Sequence, residues 1–156
     1  ARDSRPPAAR APGRQTRPPA RSSADVNERV RNMSVSEQMQ LARRGDQMER
    51  TALERAYGKT VWEALLANPR ITHPEIARIA RKGTLPRPLL ERIVDTSGWL
   101  SSAQIRRALL ANRKLTREMV AKVLRATPRS ELKLMPKQRA YPPLVRELAE
   151  KLLGSS

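Results

Sequence analysis

The stretch LLANPRIT, residues 65 to 72, returns 44 positions later as LLANRKLT, residues 109 to 116. The copies share both leucines, the alanine, the asparagine and the threonine, and differ conservatively at Arg70/Lys114 and Ile71/Leu115. The same slide lays Ile76, Ala77, Arg78, Ile79 and Arg81 on Val120, Ala121, Lys122, Val123 and Arg125. Apolar and basic classes carry over together, so the match covers two successive helices. The second copy has Arg113 where the first has Pro69, which leaves that turn less rigid. A further likeness has its own offset: PRPLLERIV, 86–94, and YPPLVRELA, 141–149, each open a helix with proline and place leucine at the first inward positions. One helix pair cannot bury its apolar face alone, so a chain made of copies folds by stacking them.

Helix punctuation is dense. Ser34 with Glu37, Thr51 with Glu54, Thr60 with Glu63, Thr72 with Glu75 and Ser101 with Gln104 have the spacing in which two side chains satisfy each other's free backbone N–H groups. Gly45, Gly58, Asn68, Gly83, Gly98, Asn112 and Gly154 suit the left-handed residue after a helix. Pro86, Pro88, Pro128, Pro136, Pro142 and Pro143 suit starts or breaks. These signals predict helices near 35–44, 47–57, 61–67, 73–82, 87–96, 102–111, 117–126, 130–135 and 143–153, and no segment alternates as a strand would. The fold class expected is all-α. A period in the low forties with two or three helices per unit is in the range of a short HEAT- or armadillo-like solenoid. Its core is expected from Leu65, Leu66, Ile71, Ile76, Ile79, Leu89, Leu90 and Ile93 facing Leu109, Leu110, Leu115, Val120 and Val123.

From RTALERAYGKTVWEALLANPRIT through EIARIARKGTLPRPLLERIVDTSGW and ALLANRKLT to YPPLVRELAEKLL, the chain resembles a group of HEAT-like helical-repeat proteins of delta-proteobacteria and myxobacteria. The NPRIT turn and Trp99 are the most specific points, and the likeness covers residues 34–153. The resemblance implies an all-helical repeat fold with a binding role. It brings no catalytic residue, cofactor or substrate.

Residues 1–24 read differently from the rest. They contain Pro6, Pro7, Pro12, Pro18 and Pro19 but no Leu, Ile, Val, Met or aromatic residue, so they have nothing to bury and are expected to form a disordered Arg/Pro/Ala-rich tail. The helical-repeat domain is expected over 25–156. The tail is Arg-rich and acid-poor like a transit peptide, but lacks the apolar face of an amphipathic helix. With no cysteine and a single histidine there is no disulfide and no zinc site of recognisable spacing. No apolar run approaches the ~18 residues of a membrane span, and a soluble, cytoplasmic protein is expected.

Charge is the strongest functional signal. The chain has 32 Lys and Arg against 15 Asp and Glu, a net charge of +17. The tail holds six of the arginines and one aspartate, so the folded part is strongly basic in its own right. Such a field attracts polyanions, although a GC-rich genome also favours Arg codons. If the repeat stacks, Arg70 lies near Lys114, Arg78 near Lys122 and Arg81 near Arg125, a ladder of positive charge. The pairs Arg43–Arg44, Arg81–Lys82, Arg106–Arg107 and Arg113–Lys114 fall at predicted helix ends, where cations favour the dipole and reach outward.

Other chemistry is weakly signalled. His73 beside Pro74 reads as surface, and Asp95 four residues before Trp99 reads as a helix ending beside a core plug rather than as an acid in a catalytic site. Trp62 and Tyr57 read as core. With aromatics at 3%, stacking of bases has little to work with. No enzyme activity, cofactor or metal is expected. Two functions of different class remain. One is a sequence-independent nucleic-acid binder whose ladder contacts phosphates while Arg2, Arg5, Arg10, Arg14, Arg17 and Arg21 act as a flexible arm. The other is a protein-interaction adaptor that holds an acidic or helical partner. An adaptor should show exposed Leu, Met or Trp in a groove, and a nucleic-acid binder should show Arg and Lys there.

Overall fold

The computed structural model describes residues 22–154. Among them the regular elements are all helical: α1 (Ser23–Arg31), α2 (Val35–Arg44), α3 (Gln47–Tyr57), α4 (Trp62–Leu66), α5 (His73–Ala80), α6 (Arg87–Asp95), α7 (Ser97–Leu100), α8 (Ala103–Ala111), α9 (Arg117–Arg125), α10 (Arg129–Leu132) and α11 (Pro143–Gly154), with 3₁₀ turns at Gly58–Thr60 and Met135–Lys137. Helices fall near each predicted position, and the stretch expected at 130–135 is divided between α10 and the start of a 3₁₀ turn. Proline acts as expected: Pro86 and Pro128 are the residues before α6 and α10, and Pro143 opens α11.

Two helices, α1 and α7, have no counterpart in the sequence reading. The first begins inside the span read as tail. Ser22 caps it, its hydroxyl accepting from the Asp25 N–H at 3.2 Å, and Val26 and Val30, one turn apart, are buried. Two valines on one face are too weak a pattern to stand out in sequence, yet the face they make packs on α3. Residues 1–21, with their six arginines, lie outside the described residues.

The caps also redistribute. Ser34 accepts from the Glu37 N–H at 3.2 Å, and the Glu75 carboxylate accepts from both the N–H and the hydroxyl of Thr72 at 2.7 Å. Thr51 does not cap: it sits inside α3 and donates to the Gln47 carbonyl, because Asp46 and Glu49 form the capping box one turn earlier. Thr60 lies in a 3₁₀ turn, and Ser102 rather than Ser101 caps α8. Among the described residues only Gly58 has positive φ, at 47°. Gly45 is needed for a different reason, since a Cβ there would lie 2.6 Å from the Leu41 carbonyl oxygen.

Several helices pack on one two or three places further along the chain, α1 on α3, α2 on α4, α5 on α8, α6 on α9 and α9 on α11, while α2 with α3, α6 with α7, α7 with α8 and α8 with α9 pack as immediate neighbours. A single apolar core runs along this array from Val26 to Ala149. Most of the expected core is buried, with Ile71 and Leu89 only partly so. At the α5 and α8 seam Ile76, Ile79, Leu109 and Leu110 are fully buried, each contributing about 1.5–3 kcal/mol relative to exposure.

Candidate polyanion-binding face

Buried polar groups fix the helices whose outer faces carry the charge. Asn68 donates from Nδ2 to the carbonyls of Ala42 and Gly45 at 2.9 and 3.0 Å, and its Oδ1 accepts from the Arg70 N–H at 2.9 Å. Asn112 does the same, donating to Ala80 and Lys82 at 2.8 and 3.1 Å and accepting from the Lys114 N–H at 3.0 Å. Neither asparagine is left-handed, contrary to the sequence reading, because the side chain supplies what the turn needs. Each satisfies carbonyls freed at the end of an earlier helix.

Arg50 and Glu75 tie α3 to α5 inside the protein. The guanidinium makes two bonds to the carboxylate, at 2.8 and 3.0 Å, and a third to the Gly45 carbonyl at 2.9 Å. Burial pushes the Glu75 carboxyl up, but hydrogen bonds from Arg50 and Thr72 and the Arg50 charge outweigh it and hold the group below the usual carboxylate range. Arg106 has a similar place further along: it donates to the Leu100 carbonyl at 2.9 Å and to Glu131 at 2.7 Å. It was expected to reach outward with Arg107. It is 4% exposed, and only Arg107 reaches solvent.

With α1, α3 and α5 held together, their last turns present cations on one side. Arg55, in the last turn of α3, lines three adjoining depressions. One lies by Ser23, Asn27 and Met48, one holds Asn27 and Arg31, and one of about 490 Å³ holds Glu54, Arg78 and Lys82. Arg31, Arg55 and Lys82 have no ion pair among the described residues, whereas Arg78 pairs with Glu54 at 2.9 Å and stays half exposed. The acids nearby are Asp46, whose carboxylate is engaged in capping α3, and Glu54. The negative ends of these helix dipoles favour cations at such positions.

The sequence-predicted ladder is divided among several surroundings. Arg78 and Arg81 lie at the end of α5, Arg78 on the groove just described and Arg81 on the next depression, beside Arg107 and Arg139. Arg70 and Lys114 hold equivalent turn positions and both are exposed, with Lys114 lining a separate depression with Lys59 and Arg87. Lys122 is bound to Asp95 at 2.7 Å, as Arg78 is to Glu54, so both rungs are partly neutralised. Arg125 is exposed at the end of α9. His73 is exposed, Trp62 is buried and Trp99 is partly buried. Arg31, Arg55 and Lys82 were not on the ladder, and only Lys82 carried a signal, as one of a basic pair at a helix end. No helix among the described residues is long and apolar enough to cross a membrane. Compared with known proteins, the chain matches no family model, no curated protein and no solved structure.

Proposed function

We propose that this chain is a non-enzymatic, sequence-independent polyanion binder, with nucleic acid as its partner. The observation that carries the reading is Arg55 at the junction of three depressions, flanked by Arg31 and Lys82, which have no ion pair among the described residues, and by the half-exposed Arg78. A phosphate backbone needs cations at intervals along a groove, which the two depressions holding Arg31, Arg55, Arg78 and Lys82 offer, while the third, beside the exposed Met48, is more apolar. Arg2, Arg5, Arg10, Arg14, Arg17 and Arg21 act as an arm that adds phosphate contacts. The array is a short HEAT-like solenoid, a reading supported by packing two or three helices on and by the paired Asn68 and Asn112 clasps.

Titration of labelled duplex DNA and RNA across salt concentrations tests the reading. Affinity should fall linearly in log–log form with a slope near −0.9 per duplex DNA phosphate neutralised, and be similar for unrelated sequences. Absence of binding to both at low salt rejects it.

A further inference from the structure

A depression of about 600 Å³ does not have the character of a phosphate groove. It is formed where the end of α5, the outer side of α8 and the chain between α10 and α11 meet. Arg81, Arg107 and Arg139 stand around it, while Ala111, Leu134 and Tyr141 give it an apolar lining. Leu134 is 60% exposed, and the other exposed large apolar side chains among the described residues, Val35 and Met48, lie on α2 and α3. A lone exposed leucine needs no explanation, but one inside a depression ringed by three arginines supplies contacts that a phosphate cannot use.

Charge decides what kind of apolar group fits. Glu131 is the one acid among the lining residues, and its carboxylate is engaged by the buried Arg106 at 2.7 Å and lies 3.7 Å from Arg107 Nε. Arg81 and Arg139 have no ion pair among the described residues, so the rim keeps a net positive charge. We infer that this depression is a docking site for an acidic peptide segment of a partner protein, with one large apolar side chain set against Leu134 and Tyr141 and flanking carboxylates meeting Arg81, Arg139 and Arg107. The depression borders the α1–α3–α5 groove at the end of α5, where Arg81 is followed by Lys82, but the two share no lining residue, and the inference does not depend on the polyanion reading.

The test uses the full chain and two fluorescein-labelled peptides, one with a central leucine flanked on both sides by glutamates and one with serine in its place. The leucine peptide should bind about tenfold tighter or better at physiological salt, the factor expected for burying most of one apolar side chain. Leu134→Ser should abolish that preference without lowering Tm, since the side chain is mostly exposed. Arg139→Glu should weaken both peptides, and Arg55→Glu should alter neither. Equal affinity for the two peptides, or a preference that survives Leu134→Ser, overturns the inference. So does a single-stranded oligonucleotide that displaces the leucine peptide and itself loses affinity in the Leu134 and Arg139 variants, which would give the depression to nucleic acid.

Discussion

Asn68 and Asn112, 44 positions apart, hold one structural role: each side chain bridges two carbonyls at the end of an earlier helix and also accepts from the N–H two residues on. Both are almost wholly buried. This accounts for why asparagine returns at both positions while the neighbouring proline does not.

Replacing either asparagine by glycine separates this role from that of a left-handed helix stop. A left-handed position would accept glycine with no loss. Here the substitution strands buried carbonyls, and each of Asn68→Gly and Asn112→Gly should cost about 1–3 kcal/mol in urea unfolding. An unchanged midpoint in either variant rules the clasp out as a source of stability.

Arg50 and Glu75 should behave as a unit. Arg50→Met leaves a buried carboxylate without its bidentate partner and should cost about 3–5 kcal/mol. The double variant Arg50→Met with Glu75→Leu should recover part of that loss, because two apolar groups leave no charge uncompensated, although the bonds from Thr72 to the carboxylate go with Glu75. A double-mutant cycle by denaturant titration measures the coupling, and simple additivity would contradict it.

The same pair sets an acid sensitivity. Glu75 is held below its ordinary value in the folded chain, so the unfolded chain takes up its proton first as pH falls. Its contribution is therefore complete above the ordinary carboxylate value, about 4.3, and is lost as pH falls from there through the depressed native value. Unfolding midpoints between neutral and acid pH should drop less steeply in Glu75→Gln than in the unaltered chain. Parallel pH profiles would assign the acid sensitivity to other carboxylates.

How far the sequence could be read depended on whether a feature recurs. Residues 65–81 and 109–125 announced their helices because Leu, Asn and Thr return at fixed spacing. The groove around Arg55 does not recur. Sliding 44 positions takes Arg55 to Trp99, Arg31 to Glu75 and Lys82 to Ala126, so a search guided by the repeat passes over all three. Ion pairs were equally hidden, since Glu54 lies 24 residues before Arg78 and Asp95 27 before Lys122, and only packing brings them together. Thr51 with Glu54 has the right spacing for a cap, but Asp46 with Glu49 reaches the helix start first.

Deleting residues 1–21 should weaken nucleic-acid binding and flatten its salt dependence, since six arginines go with them. Tm should stay within a degree or so, because the segment has no large apolar side chain to bury. A large fall in Tm would mean that the segment packs on the folded domain.

Charge reversal distinguishes the groove from the ladder. Changing Arg31, Arg55 and Lys82 to Glu alters three cations that have no ion pair among the described residues, and exposed charges contribute only about 0–1 kcal/mol each to stability. Folding should therefore persist while affinity for duplex DNA falls for all sequences alike and the salt slope flattens by about two to three units. Reversing Arg70, Lys114, Lys122 and Arg125 should have a smaller effect: Lys122 is already held by Asp95, and Lys114 faces a different depression. Anisotropy titrations of both variants decide between them. If the ladder variant loses more affinity than the groove variant, the nucleic acid runs along the repeat rather than across the ends of α1, α3 and α5.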